Sequence, residues 1–167
     1  GYDGHLALSI IERIIAKKLY HEAFLKAFTD LPLLVRTDTR ELIRLSDVDT
    51  TSTQFDTSSL KLFLEGDGKK ETHANACFLV FNQLNQKFSI VPGSEGSALE
   101  TLRLSDRDWK IDPALKGQWQ LPLKDGRKVK VTTAFALFQK ELGAYKAEKI
   151  QAQTGVHPDI VDTLAVD

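Results

Sequence analysis

Asp3 stands in a short opening, Gly1-Tyr2-Asp3-Gly4, that runs straight into a segment of helical apolar periodicity. A carboxylate at a helix start has two uses. It can cap the first turn, where backbone N–H groups lack intrahelical acceptors. The same free N–H groups and the helix dipole also favour an anionic group, and a carboxylate there can accept paired hydrogen bonds, such as those offered by the ring N–H and amino group of a guanine. On residue chemistry alone the capping role is the simpler one. Other chemistry finds less support. His5, His21, His73 and His157 are scattered, none at ligand spacing, and the lone Cys77 cannot build a zinc or iron–sulfur site. Neither a Gly-x-Ser-x-Gly elbow nor a phosphate-binding Gly-x-x-x-x-Gly-Lys loop is present. Asp106 and Asp108 form a close carboxylate pair, but Arg103 and Arg107 beside them make an ordinary solvated face. No catalytic residue and no metal ligand is assigned.

The chain that must position Asp3 has 167 residues, with 42% hydrophobic and 27% charged side chains, enough for one domain with a substantial core. Twenty-two Lys and Arg against 23 Asp and Glu leave a formal charge of −1, which argues against a nucleic-acid partner, since phosphate neutralisation needs a positive excess. No apolar run has the length of a membrane helix, so no direct membrane insertion is expected. There is no basic-then-apolar leader; any start or targeting signal is expected outside this sequence. Cys77, in Ala76-Cys77-Phe78-Leu79-Val80-Phe81, reads as a buried structural thiol.

A first helix follows from Leu6, Ala7, Ile10, Ile11, Ile14 and Ile15, with Asp3 at its cap and Lys17 and Lys18 in its last turn. A second runs through His21–Phe28, with Phe24, Leu25 and Phe28 on one side. Leu33–Val35 reads as a short strand and Glu41–Leu45 as a helical turn. Residues 49–75 are polar and read as a surface excursion. Ala76–Phe81 and Phe88–Val91 are expected to pair, and Pro92–Ser97 to be a loop. The Lys124-Asp125-Gly126 turn, between Gln118–Leu123 and Arg127–Val131, is a strong hairpin signal. Thr132 or Thr133 can cap a helix carrying Phe135, Leu137, Phe138 and Leu142, with Gly143 as its stop. Two more helices are expected over Ala144–Gln153 and from Pro158 onward, the latter with Ile160, Val161 and Leu164 inward.

Several of these stretches carry a likeness. Gly1-Tyr2-Asp3-Gly4-His5-Leu6-Ala7-Leu8 resembles the Gly-Thr-Asp-x-x-Leu-Ala-Leu segment of the DMSO reductase family of molybdopterin oxidoreductases, and Leu19-Tyr20-His21-Glu22-Ala23-Phe24 resembles its continuation. Asp30-Leu31-Pro32-Leu33-Leu34-Val35-Arg36-Thr37-Asp38-Thr39-Arg40 is similar to a run in the type II branch, which includes ethylbenzene and dimethylsulfide dehydrogenases and selenate, chlorate and respiratory nitrate reductases. Phe78–Phe81, Pro92-Gly93-Ser94-Glu95-Gly96, Asp125-Gly126-Arg127-Lys128-Val129 and Thr154-Gly155-Val156-His157-Pro158-Asp159-Ile160 follow that branch's order. Tyr2 departs from the family's Thr.

The resemblance implies an internal fragment of a molybdenum oxidoreductase catalytic subunit that helps hold the guanosine end of molybdopterin guanine dinucleotide (bis-MGD in the parent). Asp3 would be the cofactor contact, with Gly1, Tyr2 and Gly4 as its backbone setting, and capping and contact can coexist. Arg36 and Asp38 can approach the cofactor or a neighbouring domain, with a local salt bridge as the plainer reading. The cysteine-rich iron–sulfur segment, the molybdenum ligand and the second guanosine-binding half are expected elsewhere in the parent. So are its partners, the remainder of the catalytic subunit and an iron–sulfur electron-transfer subunit, on either face of a bacterial membrane. The isolated fragment is expected to be inert and to carry no bound cofactor. The expected fold is α/β or α+β: a single fragment (1–48 helical with the guanosine-end segment, 49–75 excursion, 76–167 strands, hairpin and closing helices) with its first and last helices on a small mixed sheet. The alternative is a self-standing, non-enzymatic interaction or structural domain.

Overall fold

A computed structural model describes residues 1–58, 77–92 and 111–166. The expected Pro92–Ser97 loop past Pro92, the Asp106/Asp108 pair and His73 fall outside these residues. The chain divides into two compact units, one built from residues 1–22 with 136–167 and one from residues 23–135.

The first unit is helical. Helix α1 (Asp3–Ala16) packs against α4 (Ala147–Thr154) and α5 (Pro158–Leu164). The first and last helices, expected on a sheet, therefore pack on one another within this unit. Its best-enclosed side chains are Ser9, Glu12 and Ile15; of the anticipated apolar set only Ile15 is buried, and Leu6, Ile10, Ile11 and Ile14 are half-buried. Ion pairs join the same helix to its neighbours. Arg13 bridges Glu148 of α4 and, at 2.8 Å, Asp162 of α5, and Lys17 joins Asp162 at 3.0 Å. The hydrogen bond to Glu148 holds the Arg13 guanidinium firmly charged. In α5, Val161 and Ala165 take the buried positions one turn apart, while Ile160 and Leu164, expected inward, are about half exposed. Gly155 ends α4 at φ +70°, a left-handed conformation that glycine adopts without strain, and its N–H closes on the Gln151 carbonyl.

The second unit holds two three-stranded sheets. In one, β6 (Lys128–Thr133) lies between β1 (Leu34–Arg36) and β5 (Gln118–Pro122), all antiparallel. The expected hairpin is present, with Leu121 opposite Val129, Trp119 opposite Val131, and Gly126 at φ +83° in the turn. In the other sheet, β4 (Lys87–Pro92) pairs antiparallel with β3 (Cys77–Asn82) and parallel with β2 (Phe55–Asp56). The mixed α/β composition matches expectation; the strands are shared between two sheets instead of one. Leu34, Leu79, Ile90, Leu121 and Val131 meet in one core between the sheets. Cys77 lies in it, and burial pushes its thiol up to about 11.

Two expectations fail here for one reason. Glu41–Leu45 is not a helical turn: Leu42 bridges back to Val35, the Ile43 N–H donates to the Leu34 carbonyl, and the 3₁₀ turn falls later, at Leu45–Asp47. Phe55, inside the supposed polar excursion, is buried against Phe88 at a ring separation of 5.5 Å. In both places a strand pairing that local composition does not reveal decides the conformation, with the neighbouring β1 in the first case and with β4 in the second. Helix α2 (Glu22–Phe28) forms as expected but buries none of its residues, and its Phe24 and Phe28 rings pack on each other at 5.2 Å. Helix α3 (Ala134–Leu142) forms next to Thr133, whose hydroxyl donates to the Leu115 carbonyl at 2.5 Å.

Candidate functional site

Gly1, Tyr2, Asp3 and Gly4 are all exposed, at the first turn of α1. Asp3 is not the cap. Tyr2 takes that position (φ −104°, ψ 26°), its carbonyl accepting from the Leu6 N–H at 3.1 Å, and no side chain caps the turn. Asp3 is the first helical residue, one place further in. There its charge complements the dipole while leaving both carboxylate oxygens available. Among the described residues it forms no ion pair, and a Cβ on Gly1 would sit 3.5 Å from Asp3 Oδ2.

An aromatic ladder, missed by the sequence reading, flanks the turn. The Tyr2 ring meets His5 edge-on at 5.3 Å, and His5 meets Tyr145 at 5.5 Å. Tyr145 belongs to the 3₁₀ turn Gly143–Tyr145 that joins α3 to α4. His5 follows Tyr2 by three positions, the spacing of helical neighbours, so half of the ladder was readable; Tyr145 is too remote in sequence to have been found. The arrangement can offer hydrogen-bond acceptors from Asp3, donors from the free backbone N–H groups and an exposed ring from Tyr2. Among the described residues no group of three or more His, Cys, Asp or Glu side chains is placed to hold a metal ion.

Arg36 and Asp38 take the local reading. Arg36 Nε and Nη2 donate to the two carboxylate oxygens at 3.0 and 2.8 Å, and the Thr39 N–H adds a third bond. The Arg36 hydrogen bond holds the Asp38 carboxyl well below the usual carboxylate range, at about 2. The folded value is lowered, so whatever stability the pair contributes is present above about pH 4 and lost as pH falls toward 2. A carboxyl-carbon NMR titration should find the Asp38 midpoint near 2, and Arg36→Gln should return it toward the ordinary value. A midpoint near 4 in the intact chain would sink this assignment.

Comparison with known proteins decides the wider identity. No family model matches the chain. Its sequence is 35% identical, over 99% of its length, to the chlorate reductase alpha subunit of Ideonella dechloratans, and 34% identical, over 96%, to the dimethylsulfide dehydrogenase alpha subunit of Rhodovulum sulfidophilum. The chain belongs with the alpha subunits of the DMSO reductase family. A third relative, the respiratory nitrate reductase alpha subunit of Haloferax mediterranei, is 30% identical over 99% of the chain. The chain spans only 14–15% of the length of these three curated relatives. The stretches that carried the DMSO reductase family likeness fall mostly on turns and helix ends: the α1 start, the return after β1, the β5–β6 turn and the α4–α5 break. No helix among the described residues is long and apolar enough to cross a membrane.

Proposed function

We propose that this chain is part of the catalytic subunit of a molybdenum oxidoreductase, and that the first turn of α1 helps hold the guanosine end of its molybdopterin guanine dinucleotide. The observation that carries the reading is Asp3: an exposed carboxylate in the first helical turn, bound to no cap and no cation. Its two oxygens match the paired N–H donors of a guanine edge, and the backbone of Gly1, Tyr2 and Gly4 leaves room for a ring to approach. The family relationship gives the reading its context. In such a parent the metal centre of the cofactor supplies the redox step, exchanging electrons between a small substrate and iron–sulfur or haem partners, while the protein binds and orients the cofactor. The residues of this chain belong to that second task. Its partners would be the remainder of the catalytic subunit and an iron–sulfur electron-transfer subunit.

Guanine selectivity tests the proposal without any turnover. Titrating the 167-residue chain with GMP should shift the amide signals of residues 1–5 with millimolar affinity. IMP, which lacks the 2-amino group, should bind more weakly, and AMP weaker still. Asp3→Asn should reduce GMP affinity by about tenfold, the scale of a hydrogen-bonded charge lost from one edge. Equal shifts from GMP and AMP, or an Asp3→Asn variant that binds GMP unchanged, would overturn it.

A further inference from the structure

The polar face of α1 runs from the inside of the helical unit out to its first turn. Glu12, Ser9, His5 and Tyr2 follow one another at spacings of three and four residues, so they share one side of the helix. Ser9 and Glu12 are buried, His5 is half-buried, and Tyr2, at the outer end, is 50% exposed. His5 is held from a second direction by Tyr145, at 5.5 Å with planes 59° apart. Tyr145 itself stands between Leu142 and Ala147, both buried, so the far end of the ladder is anchored in the unit's interior.

Tyr2 is therefore a backed ring. Its planes and those of His5 stand 78° apart at 5.3 Å, an edge contact in which neither ring lies flat on the other. That contact limits the swing of the Tyr2 side chain and leaves the residue half exposed. Asp3 follows directly, exposed in the same turn, and a Cβ on Gly4 would meet nothing within 4 Å, so the space beside the turn is open. A purine uses its edge for hydrogen bonds and its flat face for stacking, two contacts at right angles that do not compete. Where the family segment carries Thr, which has no ring, this chain carries Tyr2.

We propose that Tyr2 is the stacking residue of the guanosine site, its ring carrying the face of the guanine while Asp3 takes the paired donors of its edge. His5 and Tyr145 are positioning residues: they hold the Tyr2 ring and do not touch the nucleotide. The two contacts divide the work. Asp3 reads which base is present, and Tyr2 adds affinity that any purine can use, because every base has a face to stack. This inference rests on the reading of the α1 start as a guanosine site and assigns to that site a side chain, and a supporting pair, that hydrogen bonding alone does not require.

The test is an NMR titration of the 167-residue chain with GMP, IMP and AMP, read from the ligand as well as the protein. Stacking should move the purine H8 signal upfield and give contacts between H8 and the Tyr2 ring protons. Tyr2→Thr should weaken all three nucleotides by the same factor, about fivefold or more, and keep the order GMP, IMP, AMP. Tyr2→Phe should bind like the parent, since the ring and not the hydroxyl does the stacking. Tyr145→Ala should weaken binding by about threefold and shrink the H8 shift, with Tyr145→Phe restoring both; unchanged amide signals in α4 and α5 check that the unit still folds. A Tyr2→Thr variant that binds GMP like the parent, or an H8 signal that does not move at saturation, overturns the stacking and leaves the Asp3 reading standing. A Tyr2→Thr variant that loses GMP alone overturns the division of roles. Absence of any preference for GMP over AMP in the parent chain overturns the guanosine reading itself, and this inference with it.

Discussion

Gly117→Ala is expected to destabilise the two-sheet unit by about 3 kcal/mol, from backbone strain and overpacking together. Gly117 has φ +152°, which side-chain-bearing residues rarely adopt. A Cβ there would lie 2.3 and 2.4 Å from two carbons of the Trp119 ring, far inside contact distance. The ring has little freedom to retreat, because it stacks on Phe81 at 4.5 Å with planes 25° apart. The Gly117 carbonyl also accepts from the Thr132 hydroxyl at 2.8 Å, tying the backbone to β6 from the other side. Urea unfolding followed by circular dichroism should show a lowered midpoint with an unchanged slope. Gly117→Ala combined with Trp119→Leu should recover part of the loss, since the smaller side chain removes the collision. A single variant as stable as the parent would mean that the ring moves freely and that this account is wrong.

Leu79→Ala should cost about 2–5 kcal/mol, the range for emptying a buried leucine site. Leu79 is fully buried on β3, opposite Ile90, and belongs to the core that joins both sheets. Its neighbours cannot close the gap cheaply. β3 is buried on both of its faces, Leu79 and Cys77 turned to the main core and Phe78 and Val80 to a second cluster with Leu33 and Val91. Moving the strand to fill one cavity would open another. Leu79→Val, which keeps most of the volume, should lose far less. A measured loss for Leu79→Ala below about 1 kcal/mol would show that the strand does shift, against the packing argument.

What the sequence displayed depended on how far apart the cooperating residues are. Asp125-Gly126 announces its hairpin because the turn and both strands are contiguous, and Cys77–Asn82 with Lys87–Pro92 read nearly as well. Residues 41–45 misled because their helical pattern gives no sign of the short return onto β1 just before them, or of the bridge from Arg44 to Phe78. Phe55 looked like an isolated apolar residue in a polar stretch until β4 gave it a strand to join. In α1 the anticipated Ile15 is buried but Ser9 and Glu12 are too, on a helix whose packing partners, α4 and α5, lie near the other end of the chain. The candidate site followed the same rule. Asp3 and its glycines were visible, and so was the Arg36–Asp38 pair, two residues apart. Tyr145 comes beside His5 only after distant segments meet.

The register of β1 on β6 sets an order of events during synthesis. Leu34 pairs with Thr133, about a hundred residues downstream, so closing that sheet carries the entropy of a long loop, which grows only slowly with its length. The β5–β6 hairpin has no such delay, because its strands are neighbours. Until β6 leaves the ribosome, β1 can pair only with the returning residues 42–43, and its place in the three-stranded sheet stays open. The hairpin is thus the template, and β1, although made first, is the last strand added to that sheet.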